Sequence, residues 1–344
     1  MVVVGVDAEA VSAWIVGHVD GVRAPLRFEL IAGGRSNLTY TVTDADGRRL
    51  VLRRPPLGHV LATAHDMARE HRIISALGTT SVPVPPALGL CTDVDVNGAP
   101  FYVMGFVDGV VLDSPANAAL LPMPLRRTVS ENLIDELADL HAVDVDAVGL
   151  GDLARRDGYI ERQIKRWSTQ WERSKTRELP AVETVADILR RRIPTQHGVA
   201  VVHGDYRFGN CLVDPMTGRI VAILDWELCT LGDALADLGY LAVYWSDPGA
   251  TGGRNNDPTG AGGFCAFADL VERYASRSGR DVADVEYHRA FSSWRVAVIC
   301  EGVYARYLHG AMGDQGLDEH DLAELRDRTE VLAEVALAAA GTLA

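Results

Sequence analysis

Hydrophobic and polar residues follow two different periods along the chain, and the change lies near residue 110. Residues 28–56 contain three short apolar runs, separated by a glycine-rich turn and an Asp-Gly turn. Alternating runs joined by such turns are typical of strands in a hairpin. A further apolar run at 100–109 predicts another strand, while amphipathic patterns predict helices at 8–20 and 64–78. The first part of the chain is therefore predicted to be mostly β-sheet.

The second part of the chain carries mainly helical periodicity. The predicted helices cover residues 124–143, 157–175, 181–193, 264–278, 284–309 and 318–340. Residues 247–263, rich in Gly, Asn and Pro, predict a loop. The change in periodicity predicts an α+β fold with two lobes: a small β-rich lobe of residues 1–107 and a larger helical lobe of residues 108–344.

Chain length and charge limit the classes of function. A chain of 344 residues is longer than most single hydrophobic cores become, which agrees with two lobes. It has 33 Lys and Arg against 47 Asp and Glu, a net charge of −14. Affinity for nucleic acid depends on Lys and Arg contacts to phosphates, so we expect no nucleic-acid partner.

The spacing of the cysteines, the N-terminal residues and the length of the apolar runs indicate the cellular compartment. The five cysteines are widely spaced and form no C-x-x-C pair, so we expect neither a disulfide framework nor a zinc site. The first twenty residues lack a basic segment, which makes a signal peptide a poor interpretation. No apolar run reaches membrane-spanning length. We therefore expect a cytoplasmic protein without a membrane partner.

Polar residues with the chemistry of a catalytic site follow two short apolar runs in the helical part. The run Val199–Val202 leads into Asp205 and Asn210, and the run Ile220–Leu224 leads into Asp225. Hard cations such as Mg²⁺ take oxygen ligands, often one or two from the protein with phosphates completing the shell. Asn210 and Asp225 can supply such oxygens, and Asp205 can accept a proton from a hydroxyl. The alternative is that all three are turn-forming residues after strands.

The motif "HGDYRFGN", followed by an apolar run and "LDWE", resembles the catalytic core of protein kinases. With "HGD" and the downstream "GDALADL", it resembles more closely the aminoglycoside phosphotransferase and choline kinase family, in particular the phosphotransferase-type domains joined to some acyl-CoA dehydrogenases. The resemblance covers roughly residues 28–310 and is strongest at 199–241. It implies a protein-kinase-like fold and transfer of phosphate from a nucleotide to a small molecule.

The resemblance also implies roles for single residues. Asp205 is the expected catalytic base, and Asn210 and Asp225 are the expected Mg²⁺ ligands. His203 and Asp237 are expected to brace the loop that carries Asp205. The alternative for His203 and Asp237 is an ordinary structural role without chemistry.

The β-rich lobe offers candidate nucleotide contacts. Arg53 on the third strand stands where many kinases have Lys, and Glu70 lies on the following helix. Arg54, the sequence neighbour of Arg53, is expected to be a solvated strand arginine. The backbone near Met104 and Phe106 is expected to contact a purine. The alternative is that the apolar run at 100–109 is an ordinary buried strand. The turn "GGRSN" is expected to cover phosphates or to be a plain hairpin turn; its candidate residues are Gly33, Gly34, Ser36 and Asn37.

The predicted function is therefore a Mg²⁺-dependent kinase that uses ATP or GTP. Its predicted partners are the nucleotide and a small-molecule hydroxyl acceptor. An acidic acceptor pocket would favour an aminoglycoside-like or choline-like cation, and an apolar one a hydroxylated acyl compound. Candidate pocket residues are Trp226, Glu227, Trp245, Glu301, Tyr304 and Asp314. The alternative is that the aromatic ones belong to the core and the acidic ones are solvated.

Two other functions are kept as alternatives. The first is a nucleotide-binding regulatory module without catalysis, suggested by Arg in place of Lys at position 53. The second is a protein kinase, which is disfavoured because no D-F-G or A-P-E sequence follows Asp225.

Overall fold

The structure is a computed structural model that describes residues 3–31, 37–57, 65–247, 257–309 and 319–343. The chain forms two compact units that are not continuous in sequence. Unit 1 contains residues 1–112, 146–150 and 208–228, and unit 2 contains residues 113–145, 151–207 and 229–344. The domain boundary at residue 107 stays a prediction.

The helices and strands follow in chain order. The helices are α1 Ala8–His18, α2 Met67–Leu77, α3 Val94–Asn97, α4 Pro115–Ala119, α5 Met123–His141, α6 Tyr159–Ser174, α7 Pro180–Arg191, α8 Leu235–Val243, α9 Phe267–Ser278, α10 Val285–Leu308 and α11 Glu319–Gly341. The strands are β1 Arg27–Leu30, β2 Leu38–Thr43, β3 Arg49–Arg54, β4 Ala87–Cys91, β5 Phe101–Gly105, β6 Val110–Val111, β7 Ala200–Val202, β8 Cys211–Val213, β9 Ile220–Ile223 and β10 Thr230–Gly232.

Unit 1 is built on an antiparallel sheet with the strand order β1-β2-β3-β5-β4. The predicted Asp-Gly hairpin is confirmed between β2 and β3, where Thr43 pairs with Arg49. Gly47 has φ +86°, which glycine adopts without steric cost. The Asp44 side chain accepts hydrogen bonds from the Asp46 and Arg48 N–H groups and so fixes the turn.

The two faces of this sheet differ because side chains alternate along a strand. On β3, Leu50 and Leu52 join the core that contains Val11 and Ile15 of α1. Arg54 has the same parity as these leucines and is buried, so the expectation of a solvated strand arginine is wrong. Its guanidinium donates hydrogen bonds to the carbonyls of Gly5 and Asn97, which compensate for the loss of water.

The other face of β3, which carries Arg53, is turned toward the helix α2. Arg53 points away from the α1 core, toward Glu70 of α2. The helix α2 begins three residues after the predicted start at 64, because the Asp66 side chain caps it by accepting from the Arg69 N–H. One strand and one capped helix thus position the two charges that the sequence singled out.

Unit 2 is mainly helical, and α10 packs against α6, α7, α8 and α11. Its core is rich in aromatic residues, among them Tyr159, Trp171, Phe291 and Trp294. The strands β7 and β10 form a short antiparallel pair in which Val202 pairs with Thr230. The sequence did not predict α8, although the motif "GDALADL" begins it.

The close packing of α8 on α10 gives a sharp stability prediction. A Cβ on Gly239 would lie 2.4 Å from the backbone carbon of His288, and backbone cannot yield as a flexible side chain can. We expect Gly239→Ala to lower the free energy of unfolding by about 1–3 kcal/mol. The matched control is Gly17→Ala in α1, where a Cβ meets nothing within 4 Å. Urea unfolding of both variants checks the prediction, and equal stability of the two would contradict it.

Two further predictions can be compared with the structure. All five cysteines are free and buried. Within the described ranges, none of the helices combines the length and the apolar character that a bilayer crossing requires. Most of the predicted loop at 247–263, namely residues 248–256, lies outside the described residues.

Candidate active site

Asn210 and Asp225 are brought together by the hairpin of β8 and β9 in unit 1. Asn210 ends a short 3₁₀ turn directly before β8, and Asp225 follows β9. In the antiparallel register Cys211 pairs with Ile223, and the Asn210 carbonyl accepts a 2.8 Å hydrogen bond from the Leu224 N–H. The start of one strand and the end of its partner are neighbours by geometry. Residues fifteen apart in sequence therefore lie at the same edge of this small sheet.

Asp225 has an unusual backbone and a charged partner. Its φ is +65°, and among the described residues only His65 is a second non-glycine with positive φ. Such a conformation costs free energy and is often found at functional sites. One carboxylate oxygen of Asp225 lies 2.5 Å from the Arg53 Nη2. The side chain is 29% exposed, so the carboxylate is not sealed from solvent.

Arg53 also contacts Glu70, and this pair is nearly dry. The Arg53 Nε lies 2.9 Å from a Glu70 carboxylate oxygen, with side-chain exposures of 12% and 2%. Glu70 accepts further hydrogen bonds from the Asn37 side-chain amide at 3.0 Å and from the Tyr102 hydroxyl at 3.1 Å. A buried charge persists only when it is paired and hydrogen-bonded, and Glu70 meets both conditions.

Burial and charge pairing both shift the pKa values of Glu70 and Arg53. Burial raises the pKa of Glu70, and the opposing charge of Arg53 only partly reverses that shift. Burial lowers the pKa of Arg53, but Glu70, Tyr102 and Asp225 together raise it further, so the net shift is upward. Arg53 is therefore a permanent cation, held by two carboxylates on the α2 side of the sheet.

Further polar residues of unit 1 surround this cluster. The Glu227 carboxylate accepts a 3.5 Å hydrogen bond from Asn37 and lies 3.8 Å from the His65 ring. Burial and the charge of Arg53 lower the pKa of His65. Trp226, a candidate for the acceptor pocket, is buried and donates its indole N–H to the Ile223 carbonyl.

The remaining nucleotide candidates fall into two groups. Gly33, Gly34 and Ser36 lie outside the described residues. Met104 is buried in β5 and pairs with both β3 and β4. Phe106 follows the end of β5, and the Arg49 guanidinium carbon lies 4.0 Å from the centre of its ring.

In unit 2, the loop after β7 is fixed by Asp237 of α8. This fully buried carboxylate accepts hydrogen bonds from the backbone N–H groups of His203 and Gly204, each 2.7 Å long. The His203 ring nitrogen accepts a 3.2 Å hydrogen bond from the Asp205 N–H. The bracing contacts expected of His203 and Asp237 are therefore confirmed.

Asp237 has a further partner, His141, which no local pattern in the sequence indicated. The His141 ring at the end of α5 lies 3.2 Å from the Asp237 carboxylate and 2.7 Å from the Tyr274 hydroxyl. Burial raises the pKa of Asp237, but the hydrogen bond and charge of His141, the charge of His203 and the hydrogen bond from the Gly204 N–H together lower it by more. Asp237 stays an anion in the interior and can hold the backbone of the loop firmly.

Asp205 itself lies beside a cation. Its side chain is 19% exposed, and one carboxylate oxygen lies 3.2 Å from the Arg207 Nε. Burial lowers the pKa of Arg207, but the Asp205 carboxylate raises it, and the net shift is upward. The Arg207 guanidinium carbon lies 5.0 Å from the centre of the Tyr244 ring, a cation–π contact.

Three of the acceptor-pocket candidates in unit 2 have structural partners, and the fourth, Asp314, lies outside the described residues. Trp245 is buried and donates its indole N–H to the Cys265 carbonyl at 3.0 Å. Glu301 is fully buried and accepts hydrogen bonds from the backbone and the hydroxyl of Thr176. The ring of Tyr304 lies 5.5 Å from the Arg177 guanidinium carbon.

The donor set in unit 1 fits a hard divalent cation. Within the described parts of the chain, no group of three or more His, Cys, Asp or Glu side chains is arranged to hold a metal ion. Mg²⁺ needs fewer protein ligands when phosphates supply the other oxygens. The amide of Asn210 and the partly exposed carboxylate of Asp225, adjacent by strand register, are oxygen donors of the kind that Mg²⁺ prefers.

Comparison with known proteins identifies the family. Residues 27–274 match the phosphotransferase enzyme family. The chain is 37% identical over 298 residues to acyl-CoA dehydrogenase family member 10 of Mus musculus, covering 85% of this chain but 27% of that protein. The chain thus spans about a quarter of the length of that relative.

Solved structures agree with this assignment. A candidate aminoglycoside phosphotransferase from Ralstonia eutropha JMP134 superposes with a TM-score of 0.80 at 33% identity, covering 98% of both chains. Aminoglycoside phosphotransferase APH(4)-Ia, solved with AMP-PNP and hygromycin B, superposes with a TM-score of 0.59 at 15% identity over 95% of this chain and 99% of that one, which shows a shared fold. The expected resemblance and fold class are confirmed: the chain belongs to the phosphotransferase enzyme family and has the protein-kinase-like α+β fold.

Proposed function

We propose that the chain is a Mg²⁺-dependent kinase that transfers the γ-phosphate of ATP to a hydroxyl group of a small molecule. The observation that supports the proposal most strongly is the placement of Arg53 between Glu70, at 2.9 Å, and Asp225, at 2.5 Å. A strand cation, a helix carboxylate and a metal-type carboxylate are recurring parts of a kinase nucleotide site. Their convergence in a member of the phosphotransferase family favours catalysis over a structural role.

In the proposed mechanism, Arg53 binds the phosphates of the nucleotide, and Glu70 holds the guanidinium in place. Asn210 and Asp225 would hold Mg²⁺, which would supply positive charge to neutralise the phosphates. Gly33, Gly34, Ser36 and Asn37 belong to the turn proposed to cover the phosphates. Backbone groups near Met104 and Phe106 are proposed to contact the purine.

Asp205 is proposed as the catalytic base. Its carboxylate accepts the proton of the acceptor hydroxyl while the oxygen attacks the γ-phosphorus and the bond to the β-phosphate oxygen breaks. The bracing of the loop by Asp237 limits the motion of the backbone at Asp205, and catalysis by positioning depends on such rigidity. Phosphate transfer by this route yields ADP and a phosphate monoester.

Two classes of acceptor deserve direct comparison. Solved relatives of this fold include an enzyme complex with an aminoglycoside, hygromycin B, which favours an aminoglycoside-like acceptor. The 37% identity to a protein named acyl-CoA dehydrogenase family member 10 favours a hydroxylated acyl compound instead. A candidate aminoglycoside phosphotransferase is itself 33% identical over 98% of both chains, so sequence similarity does not rank the two classes, and both are tested together.

An acceptor panel tests the proposal. The purified chain is incubated with ATP or GTP and with aminoglycosides, choline-like amines, hydroxy acids or hydroxyacyl-CoA esters, in Mg²⁺ or in EDTA. The expected result is Mg²⁺-dependent ADP formation above the no-acceptor rate with one class. Nucleotide-induced thermal stabilisation without a phosphorylated product from any class would instead support the non-catalytic binding module.

A further inference from the structure

Two arginines of unit 2 rest on neighbouring tyrosines at the end of α8. Tyr240 and Tyr244 are one helical turn apart, with their hydroxyl oxygens 3.3 Å from each other. The Arg207 guanidinium contacts Tyr244, and the Arg295 guanidinium carbon lies 4.9 Å from the centre of the Tyr240 ring. Arg207 contacts the Asp205 carboxylate directly, whereas Arg295 reaches the backbone beside it.

Arg295 is a cation inside an apolar stretch of α10. It is 5% exposed, and its sequence neighbours Trp294 and Val296 belong to the hydrophobic core. Its Nη2 donates a 2.8 Å hydrogen bond to the Gly204 carbonyl, while its Nε finds no hydrogen-bond acceptor among the described residues. Burial of a guanidinium is costly, and cation–π contacts with Tyr240 and Trp167 offset only part of that cost. Packing alone is therefore a poor reason for an arginine at this position.

The Gly204 carbonyl belongs to the peptide bond that joins Gly204 to Asp205. The other end of the same peptide group, the Asp205 N–H, donates to the His203 ring at 3.2 Å. Asp237 fixes the preceding peptide group through the Gly204 N–H. Gly204 itself has φ +84°, a conformation open to glycine, so the backbone at this point depends on outside contacts for its orientation.

We propose that Arg295 is a positioning residue for Asp205, acting through the Gly204 carbonyl. The guanidinium fixes the plane of the peptide group before Asp205 and so sets the direction in which the carboxylate leaves the backbone. Arg295 contacts neither nucleotide nor acceptor in this role. The proposal rests on the proposed function of Asp205 as the base.

Three variants test the proposal. Arg295→Met keeps an apolar stem and removes the donors, and Arg295→Ala leaves a space flanked by the rings of Tyr240 and Trp167. Arg166→Met is the matched control, because the Arg166 guanidinium contacts the same Trp167 at 5.2 Å and no bond from it to the loop is seen among the described residues. The measurements are kcat and the KM for ATP in Mg²⁺, the urea midpoint, and hydrogen exchange of the Asp205 amide.

The expected result is a loss of kcat of about ten- to a hundredfold in Arg295→Met, with an unchanged KM for ATP, because a displacement of about 1 Å can cost that much. The Asp205 amide, which belongs to the peptide group that Arg295 contacts, should exchange faster than in Arg166→Met. Methylguanidinium should restore part of the kcat of Arg295→Ala, since the ion can occupy the space between the two rings.

Two results would overturn the proposal: a kcat of Arg295→Met equal to that of Arg166→Met, or an Arg295→Ala variant that methylguanidinium does not rescue. Failure of the proposed function is distinguishable. If the wild-type chain shows no Mg²⁺-dependent turnover of ATP, that function is wrong. Amide exchange then tests whether Arg295 fixes the peptide group before Asp205. Unchanged exchange in Arg295→Met would overturn that claim as well.

Discussion

Asp205→Asn should lower kcat for phosphate transfer by about 10²–10⁴-fold, the usual contribution of a positioned general base. The amide keeps the size of the carboxylate but cannot accept the proton of the acceptor hydroxyl. Asp205 is not among the residues proposed to hold the nucleotide or Mg²⁺, so the Kd for Mg²⁺–ATP should not change. Steady-state kinetics and isothermal titration calorimetry on the same preparation check the two halves of this prediction.

The substitution also removes the charge partner of Arg207, so a control must separate chemistry from folding. Asp187→Asn in α7 removes a carboxylate of similar kind, which pairs with Arg190 at the surface. We expect this control to keep wild-type turnover. Turnover of Asp205→Asn equal to that of Asp187→Asn would show that Asp205 is not the base.

Arg53→Met should lower the free energy of unfolding by about 3–5 kcal/mol, because it leaves the Glu70 carboxylate buried without its cation. The variant should also lose measurable affinity for Mg²⁺–ATP, since the cation proposed to bind phosphate is gone. Arg27 is an exposed arginine on β1 of the same sheet, and Arg27→Met serves as the control. This variant should keep both the stability and the Mg²⁺–ATP affinity of the wild type. Urea unfolding and calorimetry provide the two measurements.

The stability loss of Arg53→Met should depend on pH in a defined direction. Burial already raises the pKa of Glu70, and removal of Arg53 takes away the largest opposing influence. A carboxyl group with a raised pKa binds its proton more tightly in the folded state, so stability rises as pH falls. The difference from wild type should therefore shrink from neutral pH toward acidic pH.

A second substitution separates the two effects of Arg53. Glu70→Gln added to Arg53→Met removes the unpaired charge, while the amide oxygen can accept from Asn37 and the amide nitrogen can donate to the Tyr102 hydroxyl. We expect the double variant to recover much of the lost stability but none of the affinity for Mg²⁺–ATP. A double variant as unstable as Arg53→Met would contradict the electrostatic explanation.

Sequence patterns predicted those parts of the fold in which one face of an element is apolar. The Asp-Gly hairpin and the long helices α5, α6, α7, α10 and α11 were predicted to within a few residues. The helix α8 was not, because residues 235–243 are buried on nearly all sides and show no amphipathic period. Arg54 was wrongly expected in solvent, since alternation gives the face of a side chain but not the distant carbonyls of Gly5 and Asn97.

The candidate site was predictable where its residues are close in sequence. Spacing singled out Asp205, Asn210 and Asp225, and the contact expected between Arg53 and Glu70 exists at 2.9 Å. Contacts over long sequence separations were missed. Arg295 lies 91 residues from the Gly204 carbonyl it contacts. A charge inside an apolar stretch of a helix marks such a residue as unusual, but only the fold can identify its partner.

Phosphate transfer itself is tested most directly by phosphorus NMR of the wild-type chain with Mg²⁺, ATP and the acceptor that gives ADP in the panel. The γ-phosphate signal of ATP should decay while a phosphate monoester signal of the acceptor grows in equal amount, and the same sample with Asp205→Asn should stay nearly unchanged over the same time. Growth of inorganic phosphate alone, or bound ATP that keeps its γ-phosphate with every acceptor class, would contradict a small-molecule kinase.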